Sequence, residues 1–214
     1  MLDSALRCVV VVALLVELGL AGSSLAGPTP GSAAPVPPPA APAHTVATPT
    51  GPLFAPRPRA AVAPAAPAAP LRLLIASLHI DAPVQALGVD AAGALETPAN
   101  IWDVGWYRAG PSPGAAGDAV IDGHVGLPGS PLVFSHLGAI TVGAQVIAVL
   151  ADGSRRRFSV TSLGTWPATS HPPDLFASGG AARLSLITCT GLYDGRTQTY
   201  ADRLIVQADY IGPA

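Results

Sequence analysis

The chain has 214 residues, enough for one or two domains, and its formal charge of −2 reflects 13 acidic residues against 11 arginines, with no lysine. Only 11% of the residues are charged, and the single basic run, Arg155–Arg157, is typical of a solvated strand face. Nucleic-acid binding proteins carry a basic patch or stripe that this chain lacks. Nucleic acid is therefore excluded as the expected partner.

Residues 1–26 have the pattern of an export segment. Arg7 precedes an apolar run from Cys8 to Ala26 that only Glu17 interrupts, and Ser24–Ala26 supplies small residues at the spacing a signal peptidase needs. The same 19 residues are about long enough to span a bilayer as an anchor, although a charged Glu17 would be costly there. We favour the anchor, because a stalk is useful only when its far end is fixed. The protein is then expected on the outer face of the cell membrane, or secreted if the segment is cleaved.

A proline- and alanine-rich segment, residues 27–70, follows the export segment. It contains 14 prolines and 14 alanines among 44 residues, and Arg57 and Arg59 are its only charges. Such a composition cannot bury enough apolar surface to offset the entropy lost on ordering. We predict a disordered but extended linker, since polyproline II advances roughly 3 Å per residue.

Short apolar runs alternate with turn signals through the remaining residues, 71–214. The turns include Asp90–Gly93, Gly114–Asp118 and the hairpin pair Asp152–Gly153. Many short strands without a long helical period predict an all-β domain, a closed or nearly closed β-barrel. Short helices around Pro131–Leu137 and Asp174–Phe176 are expected to cap it. The predicted strands are Leu73–Ile75, His79–Val84, Ala119–Ile121, Gln145–Leu150, Arg157–Thr161, Leu184–Thr188 and Leu204–Ala208.

Cys189 is the most informative residue of this domain. It follows the strand Leu184–Thr188 and is the only cysteine outside the leader, so no disulfide can form within residues 71–214. One cysteine in an exported domain is uncommon unless the thiol reacts. The alternative is a small, buried, inert side chain.

Two further residues complete a candidate catalytic set with Cys189. Arg203 begins the strand after Cys189, so a hairpin would bring its guanidinium to the thiol, and His124 lies shortly after the predicted strand Ala119–Ile121. A thiolate can attack a carbonyl, an imidazole can carry a proton, and a guanidinium can stabilise an oxyanion. The simpler alternatives are a turn histidine at His124 and a surface pair between Arg203 and Asp202. His136 is a less favoured candidate histidine, because it lies in a predicted capping turn.

Several motifs occur in a fixed order along the domain: Leu78–Val84, Leu87–Asp90, Gly93–Leu95, Val104–Tyr107, Pro113–Gly114, Gly123–Val125, Leu186–Cys189 and Tyr200–Arg203. With these motifs the domain resembles the sortases, most closely the stand-alone class E and class F enzymes of actinobacteria. The resemblance implies an eight-stranded β-barrel and a cysteine transpeptidase, in which Cys189 is the nucleophile, His124 the general acid and Arg203 the oxyanion ligand. It also implies cleavage of an LPxTG-like sorting signal between Thr and Gly, and transfer to an amine of peptidoglycan or of a pilin.

The sequence departs from the sortase pattern at three positions near these groups. Gly126 stands where relatives often have a polar residue, and Ser185 where the better-known signature has Thr. Asp122 replaces the small residue usual before Gly123. A carboxylate there would raise the pKa of His124 if the two side chains approached each other.

Substrate recognition is expected on the loop Leu163–Arg183 and the segment Thr190–Asp202, since loops on a rigid scaffold commonly carry function. The alternative for Trp166 and Phe176 is packing against the barrel, and for the two threonines local hydrogen bonding. The candidate substrate-binding residues are Trp166, Phe176, Thr188, Thr190 and Tyr200.

We predict neither a metal nor a cofactor. Some sortases bind calcium near the long loop, but here Asp174 is the only acidic residue between Leu163 and Arg183, and calcium needs six to eight oxygen ligands. Two other functions stay open at this point. One is an exported peptide-binding barrel with an inert cysteine, and the other is a cysteine hydrolase, in which water resolves the acyl-enzyme.

Overall fold

The computed structural model describes residues 68–91 and 93–214. The predicted export segment, 1–26, and the predicted linker up to residue 67 lie outside the described residues. The barrel begins slightly earlier than expected, because Pro70 opens the first strand and the carbonyl of Ala69 accepts a hydrogen bond from the Ala151 amide at 2.8 Å. Within the described residues, no helix is long and apolar enough to cross a membrane.

The described residues form a closed β-barrel of eight strands, which confirms the predicted fold. The strands in chain order are β1 Pro70–Ile75, β2 Ile80–Leu87, β3 Val104–Tyr107, β4 Gly117–Gly123, β5 Gly126–Leu127, β6 Ser130–Pro131, β7 Gln145–Leu150, β8 Arg155–Pro167, β9 Ala182–Asp194 and β10 Thr199–Pro213. The order around the barrel is β1-β2-β3-β4-β9-β10-β8-β7, and two neighbouring pairs, β2–β3 and β4–β9, are parallel. A small hairpin of β5 and β6 follows β4.

The predicted capping helices are largely turns. Residues 133–136 are turn, and a short 3-10 helix, Leu137–Ala139, starts only at the end of the predicted span. Asp174–Phe176 is also turn, where the amide of Ala177 bonds the carbonyl of Asp174. A second 3-10 helix in the described chain, Ala76–Leu78, joins β1 to β2. These segments are too short for α-helical hydrogen bonding to develop.

Both faces of β4, β9 and β10 are covered, which explains the almost continuous apolar runs of these strands. Alternate side chains, such as Leu184, Leu186 and Val206, point into the barrel and pack in its main core. The intervening side chains, such as Val120, Ile187 and Ile205, form a second apolar cluster on the outer face. Leu175 of the loop 168–181 packs on that cluster and is itself buried. The outer face is therefore partly covered by a loop, and we call this face the groove floor, because the loop expected to recognise substrate lies on it.

Candidate active site

Cys189 and Arg203 lie directly opposite each other on β9 and β10. Residues opposite each other in an antiparallel pair point to the same face, with Cβ atoms about 5 Å apart. That face is the outer one, because Ile187 and Ile205, two residues back from Cys189 and two on from Arg203, belong to the outer cluster. The hairpin of β9 and β10 thus places Cys189 and Arg203 side by side on the groove floor.

Arg203 is held as a buried, oriented cation. Its residue is 3% exposed, and its Nη1 donates hydrogen bonds to the carbonyls of Tyr200 at 3.1 Å and Asp202 at 2.9 Å. Burial lowers the pKa of Arg203, but a guanidinium stays charged in proteins. Arg203 donates to the backbone carbonyl of Asp202 and also interacts electrostatically with its carboxylate, but the burial of Arg203 distinguishes it from an ordinary surface pair.

His124 is brought to Cys189 by the parallel pairing of β4 with β9. Asp122 is the register partner of Ile187, so the chain leaves β4 beside Thr188 and Cys189. The Thr188 hydroxyl donates to the Gly123 carbonyl at 2.7 Å and fixes this exit. The carbonyl of His124 then accepts a hydrogen bond from the Phe134 amide at 2.9 Å. Two backbone carbonyls are thereby tied down on either side of the His124 Cα atom.

The environment of His124 favours its neutral form. The residue is 2% exposed, and burial lowers the pKa of its imidazole, while a hydrogen bond with the backbone of Pro98 raises it to a lesser extent. Its Nδ1 has no hydrogen-bond partner among the described residues. A neutral ring with an open nitrogen can accept a proton from a thiol and later return it. His136, by contrast, is exposed at the start of the 3-10 helix Leu137–Ala139.

Asp122 is an unexpected member of this site. It is 1% exposed on β4, and its electrostatic partner is Arg203, which opposes the upward shift that burial imposes on the pKa of Asp122. The shift of the His124 pKa has other causes and is downward. The sequence showed Asp122 as unusual, but its burial follows from contacts between distant segments.

The proposed recognition residues occupy different places around the groove. Trp166 belongs to β8, which continues to Pro167, four residues past the predicted start of the loop at Leu163. Arg203 on β10 thus has Trp166 as its partner on β8 and Cys189 as its partner on β9. Phe176 lies in the loop 168–181, with its ring edge-on to Tyr107 at 5.5 Å between centroids. Both aromatic side chains pack partly buried against the outer cluster. Trp166 and Phe176 thus pack against the barrel, and in this position they can also line a substrate groove.

The remaining candidates lie on the hairpin of β9 and β10. Thr188 is buried and uses its hydroxyl on Gly123 inside the barrel, as the local alternative anticipated. Thr190 is half-buried next to Cys189. The Tyr200 hydroxyl donates to the Gly126 carbonyl at 2.9 Å and so ties β10 to the β5–β6 hairpin. Tyr200 therefore holds the β5–β6 hairpin, which begins two residues after His124 and which we call the rim of the site.

No group of three or more His, Cys, Asp or Glu side chains in the described part of the chain is arranged to hold a metal ion. Cys189, Arg203 and His124 lie at one end of the barrel, and these three residue types together can support cysteine-dependent acyl transfer.

Comparison with known proteins places this site in a family. The model of the sortase domain matches residues 73–211, so the chain belongs to the sortase family. The protein is a sortase-type enzyme, a cysteine transpeptidase. The comparison with curated proteins gives no match.

Solved structures of sortases share the fold of this chain. Sortase C1 of Streptococcus agalactiae, in complex with MTSET, is 23% identical with a TM-score of 0.51, over 66% of this chain and 68% of that chain. Sortase C of Streptococcus pneumoniae is 22% identical with a TM-score of 0.52, over 67% and 68%. Sortase A of Corynebacterium diphtheriae is 21% identical with a TM-score of 0.52, over 69% and 62%. The likeness to class E and class F enzymes stays a prediction.

Proposed function

We propose that this enzyme cleaves an LPxTG-like sorting signal between Thr and Gly and transfers the new carboxyl end to an amine of the cell wall. The observation that carries the proposal is the cross-strand pairing of Cys189 with Arg203, beside the exit of β4 that presents His124. Class E relatives prefer Ala to Pro at the second position, so both motifs belong in the test. The N-terminal segment would hold the enzyme at the outer face of the membrane, near proteins that carry such signals.

The first half of the reaction forms a thioester. The Cys189 thiol gives its proton to His124, and the thiolate attacks the carbonyl carbon of the Thr residue in the signal. Arg203 would stabilise the oxyanion of the tetrahedral intermediate. The carbon–nitrogen bond then breaks, and the His124 imidazolium protonates the departing Gly amine. The burial that lowers the pKa of His124 makes it a ready proton donor at this step.

The second half resolves the thioester with an incoming amine. The amine attacks the same carbonyl carbon, the carbon–sulfur bond breaks, and the proton lost by the amine passes through His124 to the Cys189 sulfur. An apolar groove floor, with Phe176 and Trp166 packed on it, would favour an extended peptide and restrict water. A peptidoglycan amine is the acceptor that we favour for a stand-alone enzyme, with a pilin lysine as the alternative.

The test uses the full chain, reduced beforehand, with fluorogenic LPxTG and LAxTG peptides in the presence and absence of an added amine. Cys189→Ala should lose all turnover, whereas Cys8→Ala, the matched change at the other cysteine of the chain, should retain it. Turnover that rises with amine concentration, with the amine incorporated in the product, supports transpeptidation.

Two outcomes would contradict the proposal. Peptide binding without any turnover would identify a binding module with an inert cysteine. Turnover that depends on Cys189 but gives only the hydrolysed product at every amine concentration would identify a hydrolase.

A further inference from the structure

Asp122 lies on the same outer face of the sheet as Cys189 and Arg203, but it is not one of the three residues proposed to react. Its register partner on β9 is Ile187, an outer-face residue two positions before Cys189, and its residue parity on β4 is that of Val120 in the outer cluster. The carboxyl group is therefore on the same face of the sheet as Cys189 and Arg203. It acts electrostatically on Arg203.

The cover over Asp122 is apolar. Its partner on β3 is Gly105, and a Cβ atom at Gly105 would lie only 2.0 Å from Cδ1 of Leu87. Because Gly105 has no side chain, Leu87 can pack over β3, next to the carboxyl group of Asp122. Oδ1 of Asp122 is buried and has no hydrogen-bond partner among the described residues. A buried carboxylate with an unmatched oxygen is expensive unless it takes up a proton.

The charged and titratable groups on the elements around Asp122 are few. β3 contributes Tyr107 and β9 contributes Cys189, while His124 follows on the chain itself. β10 contributes Arg203 and also Asp202, which acts electrostatically on Arg203. Arg203 is the cation of this set that lowers the pKa of Asp122, whereas burial has the larger effect and raises that pKa to about 7. Both charge states of Asp122 are thus populated near neutral pH.

We propose that Asp122 is a positioning residue whose carboxylate is the proton-linked counter-charge of Arg203, so that a proton on Asp122 releases the guanidinium for the substrate oxyanion. This inference rests on the proposed function. When Asp122 is ionised, it competes with the oxyanion for one cation. When Asp122 is protonated, Arg203 loses this counter-charge, keeps Asp202 as an acidic neighbour, and presents more positive charge to the reacting carbonyl.

The sign of the resulting pH dependence follows directly. As pH rises through about 7, Asp122 loses its proton and the activity supported by Arg203 falls. For a group with that pKa, the protonated fraction drops about tenfold between pH 6 and pH 8. The Asp122→Asn variant cannot ionise at this position. Across this pH range, the ratio of its kcat/KM to that of the native enzyme should therefore rise by up to about tenfold, and the change should be in kcat more than in KM.

The chain offers a matched control on the same strand. Asp118 is also buried on β4, and burial raises its pKa to about 6, but it bonds the Ser185 hydroxyl at 2.8 Å and faces Arg183. Asp118→Asn should leave the pH profile parallel to that of the native enzyme. Asp122→Glu should restore a pH-dependent ratio, because it returns an ionisable group to the site. A pH profile of Asp122→Asn parallel to the native one would overturn the proposal.

A second measurement does not depend on peptide cleavage. The reduced full chain is alkylated with iodoacetamide between pH 6 and pH 8, and the modification of Cys189 is followed by mass spectrometry. An ionised Asp122 disfavours the thiolate, so Asp122→Asn should alkylate several-fold faster than the native chain at pH 8 and equally fast at pH 6. Equal rates at both pH values would refute the charge coupling. A changed alkylation profile without peptide turnover in any variant would refute the proposed function instead.

Discussion

Gly123 offers a sharp test of how the fold positions His124. A Cβ atom at this position would lie 2.5 Å from Cδ2 and 2.7 Å from Cε2 of Phe134, a fully buried ring of the main core. The backbone of Gly123 is in a region open to other residues, so Gly123→Ala tests steric contact alone. Either Phe134 moves or the end of β4 moves, and His124 is the next residue.

The expected magnitude follows from the size of this overlap. Overpacking a core by one methyl group costs about 1–3 kcal/mol, which for a domain of this size lowers the Tm by roughly 3–10 °C. Because a displacement of about 1 Å near a reacting group can reduce activity about 100-fold, kcat/KM should fall at least about tenfold. Phe134→Leu in the Gly123→Ala background makes room and should recover at least about 1 kcal/mol relative to additivity.

The assay combines thermal unfolding by circular dichroism with kcat/KM on the sorting-signal peptide. Gly138→Ala is the matched control, because a Cβ atom there meets Leu204 at an ordinary 3.5 Å. The reasoning fails if Gly123→Ala is as stable and active as the control. It also fails if the effects of Gly123→Ala and Phe134→Leu are simply additive.

Three other changes follow from single contacts. Thr188→Val leaves the Gly123 carbonyl without its 2.7 Å hydrogen bond and should cost about 1–3 kcal/mol in urea unfolding, together with a loss of kcat; an unchanged midpoint would contradict this. Tyr200→Phe releases the rim at Gly126 and should raise the KM for peptide more than it lowers stability, which steady-state kinetics can show; an unchanged KM would count against a role in shaping the rim. Burial raises the pKa of Asp122 to about 7, above its unfolded value, so native stability should fall as pH rises from about 4 to about 7. Asp122→Asn should remove up to about 4 kcal/mol of that fall, and the same slope in both proteins would refute the assignment.

The strands that form the groove floor could be predicted from sequence because both of their faces are buried. Leu184–Thr188 and Leu204–Ala208 are almost continuous apolar runs, and the structure contains both within longer strands. β3 was not predicted as a strand, because its four residues include a glycine and are too few for a periodic signal. The extension of β8 to Pro167 was also missed, since this end contains Gly164 and Pro167 and is set by pairing with β10 rather than by its own composition.

The electrostatics of the site could not be predicted from sequence in the same way. The apolar cover of Asp122 comes from Leu87, which is distant along the chain, and the ring of His124 is bonded by the backbone of Pro98. Sequence could mark Asp122 as unusual, but which charge it meets depends on barrel closure. The sequence left open whether Asp122 approaches His124, whereas the structure couples Asp122 to Arg203.

The register that joins Cys189 to Arg203 depends on a local irregularity in β9. Near the hairpin tip, Tyr200 pairs with Tyr193, but two residues later Asp202 pairs with Thr190, so β9 contains one extra residue between them. Gly191 lies in this bulge with a φ of +81°, and a Cβ atom there would lie 2.4 Å from Oδ2 of Asp202. Without the extra residue, Arg203 would oppose Thr190 and Cys189 would lose its partner on the outer face, because side chains alternate along a strand. The glycine that follows Thr190 is thus as much a part of the catalytic geometry as the residues that react.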